Sequence, residues 1–168
     1  MKLAEAKEQF IQSWGVLGSQ WGINRTMAQV HALLLVASTP LSTDDIMLQL
    51  SISRGNANMN VRELMDWNLV NKVIVPGDRK EYFIAEKDIW KVATYIMQQR
   101  KKRELDPMVK VLNQLSDVEE DKKDPEVKAF TQAIENIKKF AGQADKTMDM
   151  MIKAEENWFW SNFLKLFK

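Results

Sequence analysis

Apolar residues recur at three- and four-residue steps from the N-terminus to Trp67. They switch to strand-like runs between Leu69 and Ile84, then return to helical spacing. A chain with that order must set a β-hairpin between two helical regions. The hairpin reads as strands 69–75 and 80–84, joined by the turn Pro76-Gly77-Asp78.

Before the hairpin, capping signals divide the chain into four helices. The first runs to about Gln20 with Leu3, Ala6, Phe10, Trp14, Leu17 and Trp21 on one face. Gly15 and Gly18 weaken its second half, and Gly22 ends it. Asn24 caps a second helix, whose apolar face is Met27, Val30, Leu33, Leu34 and Ala37, stopping at Thr39-Pro40. Ser42 caps a short third helix, with Asp44 and Asp45 in its first turn. Its core side is Ile46, Met47 and Leu50. After the tight connection Ser51-Ile52-Ser53, a fourth helix runs from Arg54 to about Trp67 and buries Ala57, Val61, Leu64 and Met65.

After the hairpin, Asp88 caps a helix through Ile89, Val92, Ala93 and Ile96 that ends near Arg103. Asp106-Pro107 starts a short helix through Val111, Leu112 and Leu115, since proline at the first helical position sacrifices no hydrogen bond. A charged loop covers 117–124, and Asp124-Pro125 repeats the start signal. The helix that follows carries Val127, Phe130, Ile134, Ile137, Ala141, Ala144, Met148 and Met151, a heptad seam suited to a bundle or coiled coil. The stretch 158–168 is aromatic with lysines. Its apolar residues fall on nearly all sides, which favours burial against a partner subunit over a membrane surface.

Helix, short helix, tight turn, helix and two-stranded wing is the order of a winged helix-turn-helix. The expected fold is therefore mainly α, with a β-hairpin wing and flanking N- and C-terminal dimerisation helices. The divisions are 1–23 for the N-terminal helix, 24–86 for the DNA-binding domain and 87–168 for the helical C-terminal region. The reading helix offers Ser53, Arg54, Asn56, Ala57, Asn58, Asn60 and Arg62. Arginine matches guanine bidentately, asparagine matches adenine, and small or hydroxyl residues allow close approach and phosphate contact. Ser42, at the start of the preceding helix, joins this set. At the wing tip, Arg79 and Lys80 can meet phosphate or the minor groove, while Asp78 shapes the turn or orients Arg79. The bland alternative is that these groups face water or protect a hairpin edge.

Charge distribution agrees. Residues 1–23 sum to zero, 24–103 to +4 and 104–168 to −3, within an overall +1. A basic middle beside an acidic tail fits a nucleic-acid module joined to a non-binding one. The run Arg100-Lys101-Lys102-Arg103 is read as a helix end favoured by the dipole rather than as a DNA contact.

Other functions are disfavoured by what the chain lacks. There is no cysteine, and His31 is the single histidine. Thiol catalysis, disulfides and clustered Cys/His metal sites are therefore excluded, and His31 sits among apolar residues as a packed side chain. No catalytic residue, metal site or cofactor is expected. No apolar run reaches the roughly 18 residues of a spanning helix. The N-terminus is too charged for a signal peptide, so the expected compartment is the cytoplasm.

The segments Trp21-Gly22-Ile23-Asn24-Arg25-Thr26, Ser53-Arg54-Gly55-Asn56, Arg62-Glu63-Leu64 and Val75-Pro76-Gly77-Asp78-Arg79-Lys80 together resemble the GbsR-type branch of the MarR regulators. The resemblance covers about residues 1–100. It implies a homodimer whose terminal helices form the interface and whose reading helices enter successive major grooves of a pseudo-palindrome. It also implies a phosphate contact from Arg25, and it leaves room for a small-molecule effector. Phe10, Trp14, Leu17, Phe130, Ile134, Ile137, Ala141, Met148, Met151 and Phe163 are the expected interface residues. Trp14 and Trp21, seven apart on one helix face, are the weak candidates for an effector site through cation–π attraction, against the alternative of core or interface packing. The competing functional reading is a winged helix used for protein–protein interaction.

Overall fold

A computed structural model describes residues 1–116, 118 and 123–155. The aromatic stretch 158–168, with Phe163, and most of the charged loop lie outside the described residues. The chain divides into two compact units, Met1–Val92 and Ala93–Lys168.

In the first unit, α1 (Leu3–Gln20) packs along α2 (Arg25–Val36). The contact is made by Ile11, Gly15 and Gly18, the buried residues of α1. A Cβ at Gly18 would lie 2.6 Å from the Ala28 Cβ, so the glycine sets how closely the two helices approach. Gly15 and Gly18 are thus packing positions as well as poor helix formers. The face expected to be buried is turned elsewhere: Phe10 and Trp14 are half-buried, and Leu3, Leu17 and Trp21 are exposed.

The capping signals are realised atom by atom. Asn24 Oδ1 accepts from the Met27 amide at 3.1 Å. Ser42 and Asp45 form a reciprocal capping box at the start of α3 (Thr43–Leu50). Ser53 Oγ accepts from the Asn56 amide at 3.2 Å to open α4 (Arg54–Asp66). Between α3 and α4, Ser51 adopts a left-handed conformation (φ 54°). This turns the chain while the Ser51 and Ile52 amides both donate to the Met47 carbonyl.

The sheet has three strands rather than two. β1 (Leu41–Ser42) pairs with β3 (Tyr82–Ala85), which pairs with β2 (Val70–Val73), all antiparallel. A two-residue strand carries no periodicity, so β1 leaves no trace in the sequence pattern. The hairpin centre falls as expected, but the ladder closes at Val73↔Tyr82. Val75 to Asp78 then form a turn in which Asp78 N donates to Val75 O at 3.2 Å. Pro76 and Gly77 (φ +86°) occupy the central positions of a type II turn.

The core is formed by Met27, Val30 and Leu34 of α2, Ile46 of α3, Val61 and Leu64 of α4, and Val70 and Phe83 of the sheet. His31 lies in it, 3% exposed, with its ring 6.3 Å from Trp14. Burial, and secondly the Lys87 charge, lower its pKa from 6.5 to about 4, so the imidazole is neutral at pH 7. A long-range cap closes α2: Lys87 Nζ donates to the carbonyls of Leu34 (2.7 Å), Leu35 (2.6 Å) and Ala37 (3.0 Å). The helix therefore ends before Thr39-Pro40.

Asp88 caps α5 (Ile89–Arg100) through the Trp90 amide at 3.0 Å. The helix does not stop near Arg103. It passes through one π-type segment, Lys101–Leu105, directly into α6 (Asp106–Leu115). Proline in a helix removes a donor and crowds the carbonyl four residues back, and a widened turn absorbs both effects. Pro107 therefore marks a resumption rather than a fresh start. The basic run lies inside continuous helix: Arg100 pairs with Glu104, and Lys101 meets Asp106, Asp145 and Asp149. The dipole explanation of that run does not hold, because no helix ends there.

In the second unit, α7 (Pro125–Glu155) packs on α6 through Ile134 and Ala141 against Leu112. Leu105 and Val109 border this cluster.

Candidate nucleic-acid interface

The solvent face of α4 consists of Arg54, Gly55, Met59, Arg62 and Asp66. Its inner face is Ala57, Asn60, Val61 and Leu64. Four of the residues proposed from sequence are therefore not offered to a ligand through a free side chain. Ala57 is fully buried. Asn60 is 1% exposed, and its Nδ2 donates to Asn56 O at 2.8 Å and Asn56 Oδ1 at 2.6 Å. Ser42 is buried in its capping box, and the Ser53 hydroxyl serves its cap. Asn56 and Asn58 are half-buried with their acceptor oxygens engaged, Asn56 by Asn60 and Asn58 by the Thr43 hydroxyl at 3.1 Å. Their amide nitrogens remain as donors, and each oxygen keeps a second lone pair as an acceptor.

What the fold brings together is a set of cations. Arg54, at the start of α4, pairs with Asp44 of α3. Lys80, from the wing, reaches the other oxygen of the same carboxylate at 3.2 Å. The first turn of α3, the start of α4 and the wing thus meet at one point. Sequence reading assigned Asp44 only to a helix start, because the ten-residue separation from Arg54 becomes a contact only once the turn at Ser51 is made.

The wing is braced from within. Asp78 accepts from the Lys80 amide at 2.9 Å and from the Tyr82 hydroxyl at 2.7 Å. These bonds hold its carboxyl below the usual aspartate range, and they raise the Tyr82 phenol. Asp78 therefore shapes the turn. Lys72 and Glu81 pair across the hairpin. Arg79 is exposed and makes no ion pair among the described residues.

Two further features went unread in the sequence. Met59 lies 58% exposed in the middle of the α4 solvent face, where an apolar side chain can meet a thymine methyl. At Gly55 nothing lies within 4 Å of where a Cβ would stand. A helical glycine costs about 1 kcal/mol relative to alanine, and here no packing within the chain requires it.

Arg25 stands apart from this set. Its Nη2 donates to Gln12 Oε1 of α1 at 3.3 Å. Of the two tryptophans considered for an effector, Trp14 has Phe10 (5.4 Å between ring centres) and His31 as ring neighbours, while Trp21 is exposed. Among the proposed interface residues, Ile134 and Ala141 are consumed by packing on α6 within the chain and are not free to form an interface. Phe130, Ile137 and Met151 are uncovered, joined by Phe140.

Among the described residues no helix is long and apolar enough to cross a membrane. None of their His, Asp and Glu side chains groups by three or more in a way that could hold a metal ion.

The three helices α2, α3 and α4, followed by a braced hairpin, define a winged helix-turn-helix domain. Residues 21–81 match the model of the MarR family, and the likeness to MarR-like regulators read from the sequence holds. The chain is 26% identical over 103 residues to the HTH-type transcriptional repressor GbsR of Bacillus subtilis (strain 168). That match covers 61% of this chain and spans 57% of the relative's length. A solved structure described as a transcriptional regulator superposes with a TM-score of 0.67 at 17% identity, covering 90% of this chain and 99% of that one. At that identity the likeness concerns the fold.

Proposed function

We propose that this protein is a DNA-binding transcriptional regulator, acting as a homodimer on a pseudo-palindromic duplex site in the cytoplasm and repressing the genes beside it. The observation that carries this reading is the solvent face of α4. It presents Arg54, an unexplained Gly55, Met59 and Arg62 next to a cationic wing. That is the chemistry of base-edge readout combined with phosphate contact, and Gly55 lets the helix approach a groove closely. The similarity to a repressor supports the direction of regulation.

Dimerisation is supported by apolar surface left uncovered within the chain. On α1 it comprises Leu3 and Leu17, and on α7 Phe130, Ile137, Phe140 and Met151. A second copy of the chain would bury such residues. Response to a small molecule is a further part of the proposal, with the surroundings of Trp14 as the place to look.

The test is selection of bound duplexes from genomic fragments by the purified protein at physiological salt. An inverted repeat with half-sites about one helical turn apart is the expected result. Gly55→Ala should lose most of that binding while its fold becomes up to about 1 kcal/mol more stable, because alanine favours the helix. Recovery of no specific sequence would overturn the reading in favour of a protein-interaction module.

A further inference from the structure

Asp44 bridges α4 and the wing from the first turn of α3, in a neighbourhood where the charge of Lys80 also reaches Asp45 and Asp78. Each of its carboxylate oxygens meets a different cation, Arg54 on one side and Lys80 on the other. All three side chains are substantially exposed, at 42% for Asp44, 63% for Arg54 and 56% for Lys80. Ion pairs so open to water contribute little to folding. The cap of α3 does not need Asp44 either, because Ser42 and Asp45 supply the capping box. A carboxylate at this place also repels phosphate. Its energetic effect therefore falls on the charged surface of the site rather than on the fold.

We propose that Asp44 is a specificity-determining residue: a clasp that holds Arg54 and Lys80 together in the DNA-free protein and so suppresses binding to arbitrary duplex. The proposal rests on the DNA-binding reading above. Non-specific affinity comes from cations replacing counterions on phosphates. A cation already held by a carboxylate gives up part of that gain. A matching site offers base-edge acceptors to Arg54 as well as phosphate to Lys80, and both together compensate for opening the clasp. An arbitrary duplex offers phosphate alone. Asp44 thereby widens the gap between matching and arbitrary DNA, at a cost in absolute affinity.

The experiment compares the full chain with Asp44→Asn, Asp44→Glu and the double variant Asp44→Asn/Arg54→Ala. The first probe is a labelled 30-base-pair duplex of arbitrary sequence, titrated across a salt series. The second is a pool of randomised duplexes selected separately with wild type and Asp44→Asn. Two exposed ion pairs are each worth up to about fivefold, so Asp44→Asn should bind the arbitrary duplex about tenfold more tightly at low salt. Its salt slope should steepen by about one to two. It should enrich sequence less sharply from the pool. Asp44→Glu should behave as wild type, and the double variant should lose the share of the gain that belongs to Arg54. Thermal unfolding of each variant separates these effects from folding. Equal or weaker binding of the arbitrary duplex by Asp44→Asn overturns the clasp. So does equal tightening on arbitrary and enriched duplexes, which would mean charge alone. Failure of both wild type and Asp44→Asn to bind any duplex overturns the DNA-binding reading itself. Binding by Asp44→Asn alone supports both.

Discussion

Replacing Gly18 by alanine sets two opposed effects against each other in one position. Alanine in a helix interior is favoured over glycine by about 1 kcal/mol. At Gly18, however, the added methyl would stand 2.6 Å from the Ala28 Cβ. Carbon atoms pack best at about 3.5–4.0 Å, so α1 must move away from α2 by about 1 Å. Ala28 has no rotamer to give, and overpacking of this kind costs about 1–3 kcal/mol and occasionally more. The expected net result is a loss of about 1–2 kcal/mol. Gly15→Ala is the internal control. Its methyl would meet Gln29 Cγ at 2.7 Å and Arg25 Cγ at 3.3 Å, both carbons of long side chains that can shift, unlike the Ala28 methyl. Turning Gln29 and Arg25 aside sacrifices their hydrogen bonds to Gln12 Oε1, both of them exposed. Gly15→Ala should therefore lie within about 0.5 kcal/mol of wild type, since propensity gain and contact loss nearly cancel. Urea unfolding followed by circular dichroism gives both values. A Gly18→Ala protein as stable as wild type, or the two variants equally destabilised, would refute the view that this glycine sets the spacing.

Three other perturbations follow from the same structure. His31 has a folded pKa of about 4 against 6.5 unfolded, so between those values the unfolded chain takes up a proton that the folded chain does not. Stability present above pH 6.5 should fall by up to about 3 kcal/mol as pH drops through that window, and His31→Leu should flatten this part of the profile; identical pH profiles would contradict it. Arg79→Ala should weaken duplex binding and lower the salt slope by about one, with an unchanged slope removing Arg79 from the phosphate contacts. Ile137→Asp should dissociate the proposed dimer with helicity retained, whereas Ile134→Asp should unfold the second unit, because Ile134 is 8% exposed and Ile137 41%. Sedimentation of each variant decides between them, and a fully dimeric Ile137→Asp would place the interface elsewhere.

What the amino-acid sequence reveals of this fold follows the range of the interactions involved. Asn24, Ser42, Ser53 and Asp88 were legible as caps because each bonds an amide two or three residues away. The wing turn was legible because Pro76-Gly77 encodes its own dihedral angles. Contacts made across the chain were not. Lys87 reaches carbonyls some fifty residues earlier, and Asp44 gathers partners from two other elements. β1 exists only because β3 lies beside it. Asn60 looked like a base reader because composition alone cannot tell which side of a helix an asparagine occupies; its burial is set by Val61 and Leu64 facing the core. The heptad seam of α7 was real as a periodicity. Sequence could not divide it between residues used within the chain and residues left for a partner.

The wing offers a consequence for engineering. Besides the ion pairs of Lys80 with Asp44 and of Glu81 with Lys72, its tip is shaped by bonds that begin and end between Val75 and Tyr82: a type II turn, and an aspartate holding a neighbouring amide and a tyrosine hydroxyl. Below it, the four paired positions from Val73↔Tyr82 to Val70↔Ala85 set the register with the rest of the sheet. The tip is in effect a cassette that carries its own folding instructions. Transplanted with Asp78 and Tyr82 onto another hairpin of the same register, it should keep its shape, and the exposed Arg79 could then be exchanged without disturbing it.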